Sequence, residues 1–228
     1  MMKQMLSVLL AASASLTSCS RATFRVLEKP IVFDEERKKL SLAYMEERHG
    51  IKTSEPTIQP RMVVLHWTAI PSLEQSYDAF YAPTLKGGRK DIAASGHLNV
   101  SSHYLIDRDG TIFRQLPDTV FARHVIGLNY CAIGVENVGS NKQPLTRAQL
   151  KANEALIRYL KKKYPIDYVI GHYEYTLFER DPLWKETDNN YRTVKTDPGE
   201  GFMRKIRHRL KDLDLKGPPI LSPENVKR

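Results

Sequence analysis

Two histidines in this sequence stand at the ends of apolar runs. His66 closes Met62-Val63-Val64-Leu65, and His172 follows Tyr168-Val169-Ile170-Gly171. A short apolar run of this kind reads as a buried strand, and a polar residue at its end is presented at the edge of a sheet. Asp197, within Lys195-Thr196-Asp197-Pro198-Gly199, adds a carboxylate in a turn-like segment. Two imidazoles and one carboxylate suit zinc, and three protein ligands leave a fourth position open for water. Spacing alone does not decide the matter. The three residues are far apart in the chain, and no H-E-x-x-H pair fixes two of them on one helix. Ordinary polar histidines and a turn aspartate remain the alternative at this point. A further carboxylate, Glu136, lies in the run Ala132 to Val138. There Ile133 and Val135 share one strand face while Gly134 and Glu136 share the other, so Glu136 leaves the core side.

The elements that would carry these residues can be read from periodicity and caps. Asp34 can cap a helix from Glu35 to Arg48 that stops at Gly50, with Leu40 and Tyr44 one turn apart. Met62 to His66 is the first strand of the core. His103 to Ile106 and Thr111 to Arg114 flank Asp107-Arg108-Asp109-Gly110, whose chemistry predicts a β-hairpin. Ala132 to Val138 predicts another strand. The clearest helix begins at Thr146, where Gln149 completes a capping box and Leu145 faces Leu150 as a staple, and it stops before Pro165. Tyr168 to Ile170 is a short strand, and a last helix over 201–213 places Phe202, Ile206 and Leu210 on one stripe. Pro71 to Leu98, with Gly87-Gly88 and Ala93-Ala94-Ser95-Gly96, reads as a mobile loop. The pattern predicts an α/β (α+β) fold with a central mixed β-sheet flanked by helices in a single domain.

A chain of 228 residues supports one buried core and a short appendage. Hydrophobic content of 41% and charged content of 27% are those of a globular protein, neither disordered nor multi-spanning. The formal charge of +9 favours anionic surfaces without choosing among them. No zinc knuckle, RNA-recognition or helix-turn-helix pattern is present, so nucleic acid is not expected as a partner. The N-terminus carries Lys3, the apolar run Met5 to Leu16, and Thr17-Ser18-Cys19. That is the layout of a secretory signal, and the run is too short to span ~30 Å of hydrocarbon. Leu16-Thr17-Ser18-Cys19 resembles the bacterial lipobox, which implies lipidation at Cys19 and attachment to a membrane. Ser20, in place of an aspartate, points to the outer membrane facing the periplasm. With Cys19 acylated, Cys131 has no partner and is expected as a buried, inert thiol.

Five segments taken together, Leu65-His66-Trp67-Thr68, Ser101-Ser102-His103-Tyr104, Ile133-Gly134-Val135-Glu136, Gly171-His172 and Lys195-Thr196-Asp197-Pro198-Gly199, are similar to the zinc N-acetylmuramoyl-L-alanine amidases. That family includes AmpD enzymes, phage lysozyme-type amidases and peptidoglycan recognition proteins. The resemblance implies a peptidoglycan recognition protein-like domain that binds Zn2+ through His66, His172 and Asp197. It also implies hydrolysis of the amide between N-acetylmuramic acid and L-alanine in peptidoglycan or muropeptides, for wall turnover or recycling. Glu136 would pass the proton from water to the departing amine. Lys195 would hold a fixed positive charge beside the developing oxyanion. His124 matches a histidine that lies by the substrate groove and is expected as a substrate contact. His103 is expected in a structural or supporting role. The histidine ligands need an acceptor to set their tautomers, and the sequence identifies none.

The organisation implied is a lipoprotein signal peptide over 1–18, a tether over 19–33, a helix and connection over 34–60, a zinc amidase domain over 61–213 and a loose tail over 214–228, acting as a monomer. Tyr173 to Val194 is longer than the matching stretch in compact AmpD-like enzymes. It must form a closed loop beside the site, with Phe178, Trp184 and Tyr191 packed inward and its charged residues, Glu174 and Glu186 among them, facing water. The competing reading is a non-catalytic peptidoglycan-binding module. Glu136, Lys195 and Asp197 together favour a hydrolase. A purely structural anchor of the envelope would need none of them.

Overall fold

The computed structural model describes residues 24–85 and 96–220. Six strands form one mixed sheet: β1 (Val26–Glu28), β2 (Met62–Trp67), β3 (Tyr104–Ile106), β4 (Ile112–Arg114), β5 (Ala132–Asn137) and β6 (Tyr168–Gly171). Their spatial order is β1-β4-β3-β5-β2-β6. The hairpin β3–β4 is antiparallel, and all other pairings are parallel. Parallel strands are covered on both faces, which explains why β2 reads as an unbroken apolar run rather than an alternating one. Val63, Leu65, Ile133, Val135 and Val169 face one layer, and Met62, Val64, Ala132 and Ile170 face the other.

The first layer is helical. Helix α3 (Arg147–Lys163) starts on the expected capping box, with Thr146 and Gln149 exchanging side-chain to backbone bonds. Leu156, Ile157 and Leu160 pack on the sheet beside Met203 and Ile206 of α4 (Glu200–Arg209). The second layer is built from loops and a 3-10 turn. It consists of Val125, Ile126 and Leu128 together with Tyr175 and Phe178 from His172–Phe178. Cys131 is a free thiol in this layer, and burial pushes it up to about 12. Among the described residues, no helix is long and apolar enough to cross a membrane.

Helix α1 (Glu35–His49) is capped by Asp34, whose carboxylate accepts from the Arg37 backbone at 2.9 Å, and it ends at Gly50. Its buried face is largely polar, with Arg37, Ser41, Arg48 and His49 beside Tyr44 and Met45, which pack on Ile58, Leu98 and Phe121. Arg37 is buried and donates to the Phe80, Tyr81 and Ala82 carbonyls at the C-terminus of α2 (Leu73–Tyr81). A cation at a helix C-terminus is favoured by the helix dipole.

Several segments differ from expectation. Part of the tether is structured: Val26–Glu28 is edge strand β1, and Lys29 and Ile31 continue the pairing by donating to the Arg114 and Gln115 carbonyls. Within Pro71 to Leu98, Leu73–Tyr81 is helical, and its end is tied down by Asn99, which donates to Ala79 and Ala82. The Gly87-Gly88 and Ala93 to Ser95 part of the expected loop lies outside the described residues, as do the signal peptide and Cys19. The tail is also partly ordered: Lys216 bridges beside Tyr168 and exchanges backbone bonds with Asp167 and Val169.

Candidate metal centre and active-site cleft

The site forms where three parallel strands end, the edge at which open α/β sheets place their ligands. β2 delivers His66, and in the β2–β5 register His66 stands directly opposite Glu136. Leu65 pairs with Gly171, so His172, the next residue after β6, emerges beside His66. Asp197 comes from the loop before α4. That loop is held against His172 by the bond from the Tyr173 N–H to the Asp197 carbonyl at 3.1 Å. Residues remote in sequence therefore meet because the sheet order places β6, β2 and β5 side by side.

The donor atoms form a nearly equilateral triangle. His66 Nδ1 lies 2.9 Å from His172 Nδ1, His172 Nδ1 lies 3.1 Å from Asp197 Oδ2, and His66 Nδ1 lies 3.2 Å from Asp197 Oδ2. Four-coordinate zinc with ligands at ~2.0–2.2 Å needs donor separations of ~3.3–3.5 Å, so the triangle is close to what the ion requires. All three side chains are buried. Burial, reinforced by His172, pushes the His66 imidazole down to about 4, which keeps it neutral with a lone pair to offer. For Asp197, burial acts to raise the carboxyl. The neighbouring His172 and the close approach of both rings, at 3.1 and 3.2 Å, outweigh it and hold the group well below the usual carboxylate range, so it stays ionised. Two imidazoles and one carboxylate, converging through single atoms, fit a divalent zinc ion.

One open cleft reaches this triangle, and Glu136, Lys195, His124, Trp67, Tyr191 and Thr193 line it with His172 and Asp197. Glu136 and Lys195, expected to carry chemistry, thus share the cleft with the proposed ligands. His124 also lines it, but the ring is buried and both nitrogens have protein partners. Its Nδ1 is 3.1 Å from His66 Nε2, and its Nε2 is 3.1 Å from the Ala132 carbonyl. His103 has a supporting place: its Nε2 donates to the Val120 carbonyl at 2.8 Å and its Nδ1 accepts from the Gly134 N–H at 3.0 Å.

Tyr173 to Val194 does pass beside the cleft, with Tyr191 and Thr193 in its wall. Phe178 and Tyr175 are core residues, and Trp184 stacks on Tyr175 with centroids 6.1 Å apart. Two of its charges do not face water as expected. Glu174 is buried, accepting from the Gly171 N–H at 2.8 Å and from Arg207. Glu186 is buried against Arg48 of α1 at 2.8 Å, with Asp188 at 3.6 Å from the same guanidinium. Arg48 also lies over the Tyr191 ring, 4.6 Å from its centroid, and Thr187 bonds to the Glu47 and Arg48 carbonyls. The segment is therefore clamped to α1. Sequence reasoning missed this because nothing in either segment announces the other; the only local hint is a pair of opposite charges.

Residues 56–200 match the family described as N-acetylmuramoyl-L-alanine amidase. The 1,6-anhydro-N-acetylmuramyl-L-alanine amidase AmpD of Salmonella typhimurium is 31% identical over 158 residues, 63% of this chain and 76% of that protein. AmpD of Haemophilus influenzae is 30% identical over 128 residues, 49% of this chain and 68% of that protein. The N-acetylmuramoyl-L-alanine amidase LysC from Clostridium intestinale superposes with a TM-score of 0.53 at 21% identity, over 85% of this chain and 100% of that one, a likeness of fold. With a family match that spans more than half its length and the donor triangle inside it, this chain belongs to the N-acetylmuramoyl-L-alanine amidase family.

Proposed function

We propose that the protein is a zinc hydrolase that cuts the amide between N-acetylmuramic acid and L-alanine in peptidoglycan or muropeptides. The observation that carries this reading is the His66–His172–Asp197 triangle with Glu136 in register beside it on the next strand. His66 and His172 through Nδ1, and Asp197 through Oδ2, would hold the ion. When bound, zinc supplies a Lewis acid that polarises the scissile carbonyl and makes water a better nucleophile near neutral pH.

The remaining work falls to the chain. Adjacent parallel strands lie about 4.8 Å apart, so the Glu136 backbone is one strand spacing from that of His66, and its side chain, which lines the cleft, would reach the attacking water. It takes a proton from that water and delivers it to the departing alanine nitrogen. Lys195, two residues before Asp197 in the same loop, places a positive charge where the carbonyl oxygen becomes an oxyanion. The cleft encloses about 200 Å³. That is less than the ~300–1,000 Å³ of sites that engulf a small ligand. Tyr191 and Thr193 in the cleft wall would flank the scissile bond.

Incubation with a defined N-acetylmuramoyl peptide tests this directly. Release of a peptide with a free alanine amine is expected; binding of the intact substrate without release would establish a non-catalytic binding module instead. We also propose that the mature protein begins at an acylated Cys19 and resides at the outer membrane, supported by the Leu16-Thr17-Ser18-Cys19 segment. Cys19→Ala should then yield soluble or unprocessed protein, and unacylated protein starting at another residue would refute the anchor.

A further inference from the structure

The position of His124 points to a role other than substrate contact. Its Nε2 faces the Ala132 carbonyl at 3.1 Å, and a carbonyl oxygen only accepts. His124 Nε2 must therefore carry the hydrogen, and in a neutral imidazole that leaves Nδ1 as an acceptor. The partner of that Nδ1, at 3.1 Å, is His66 Nε2, which must then donate. With its hydrogen on Nε2, His66 has a bare Nδ1, and this is the atom that faces His172 Nδ1 and Asp197 Oδ2. Resting on the zinc reading of those three residues, we propose that His124 is a positioning residue: it relays the polarity of the Ala132 carbonyl into the tautomer of His66 that can bind metal. Supporting partners of this kind orient a ligating imidazole and raise its basicity.

The surroundings are built to hold the relay. Asn129 Oδ1 accepts from the backbone N–H groups of His124 and Val125 at 2.8 and 2.7 Å, which fixes the loop that carries the ring. The ring lies flat against β5 at Gly134, where a Cβ would stand 2.7 Å from His124 Cγ. It meets the His66 ring at 89° with centroids 5.1 Å apart. Alternate residues of β5 thus divide the work on one face: the Ala132 carbonyl sets the hydrogen, Gly134 leaves room for the ring, and Glu136 reaches the cleft. With both ring nitrogens engaged inside the protein, the expected contact with substrate in the cleft would fall to the ring carbons.

The test compares wild type, His124→Phe and His124→Asn. Phenylalanine keeps the ring against Gly134 without an acceptor, whereas asparagine places a carbonyl oxygen near the position of Nδ1. Zinc affinity, read by competition with a chelating dye, should fall ~10–100-fold in His124→Phe and recover most of the loss in His124→Asn. Long-range 15N–1H spectra of the zinc-free wild type should show His66 as the Nε2–H tautomer, a readout independent of whether any variant folds. Wild-type zinc affinity in His124→Phe, with or without a raised KM, would overturn the proposal, as would His66 found with its hydrogen on Nδ1. Failure of the wild type to bind zinc would refute the metal site, while the tautomer measurement would still decide the relay.

Discussion

Gly134→Ala is a one-methyl perturbation whose consequence can be worked out from distances. The new Cβ would lie 2.7, 2.8 and 2.9 Å from His124 Cγ, Cδ2 and Nδ1. Ordinary carbon contacts begin near 3.5 Å, so the ring must retreat by roughly 0.7 Å or the strand must yield. The strand is poorly placed to do so, since β5 is paired on both sides, to β2 and β3. Because the ring lies flat on Gly134, that retreat runs along the ring normal; it lengthens the in-plane 3.1 Å contacts to His66 and Ala132 only to roughly 3.2 Å but tilts both out of the ring plane, which weakens them. The overpacking itself costs ~1–3 kcal/mol. At about 2–4 °C per kcal/mol for a domain of this size, Tm should fall by roughly 2–12 °C. Zinc affinity should fall with it, by ~10–100-fold if the ring no longer orients His66. Scanning calorimetry of zinc-free protein and dye competition read the two effects separately. A Tm within 2 °C of wild type together with unchanged zinc affinity would refute the close packing and the argument built on it.

Four further outcomes follow from the structure. Glu136→Gln should retain zinc and lose ~10²–10⁴-fold in kcat, and Lys195→Met should lose ~10²–10³-fold; near-normal turnover in either, measured on a soluble muropeptide, would remove that residue from the mechanism. Glu186→Ala removes the nearer of the two carboxylates that face Arg48 among the described residues, so it should cost about 3 kcal/mol and loosen the segment that carries Tyr191. Its kcat/KM should fall more than its zinc affinity, and equal losses in both would deny the segment a separate role at the cleft. Burial holds His49 and His103 down to about 4. Each contributes stability that is complete above ~6.5, the pKa of the unfolded chain, and is lost as pH falls through ~4, about 3 kcal/mol per ring at full effect. Urea denaturation of zinc-free protein between pH 7 and 4 should show that decline, and His49→Phe should flatten it; an unchanged slope would mean His49 does not contribute.

The central strands, the hairpin, α1, α3 and α4 were legible because each carries its own local signal: an apolar run, a turn, a cap or a 3.6-residue stripe. Helix α2 also had such a signal, with Ser72 as its cap and Leu73, Tyr77 and Phe80 on one stripe, but the small residues that follow made the whole stretch read as loop. Strand β1 had none, since three residues at a sheet edge are specified by β4 and not by their own pattern. The zinc ligands were legible only as residue types within family-like segments; their convergence comes from the order β5-β2-β6, which no spacing encodes. His124 was noticed for its segment and given a different task. Its partners, Ala132 and His66, are chosen by the fold of the 123–129 loop over β5. The same holds for Glu186, a surface-like charge in sequence that α1 buries.

The measurement that bears most directly on the account is mass spectrometry of the products from purified sacculi and from soluble muropeptides, with chelator and with zinc restored. The account predicts stem peptides with a free alanine amine and glycans that keep an intact N-acetylmuramic acid, lost on chelation and regained with zinc. Chelator-insensitive release, or products cut within the glycan or the peptide, would contradict it.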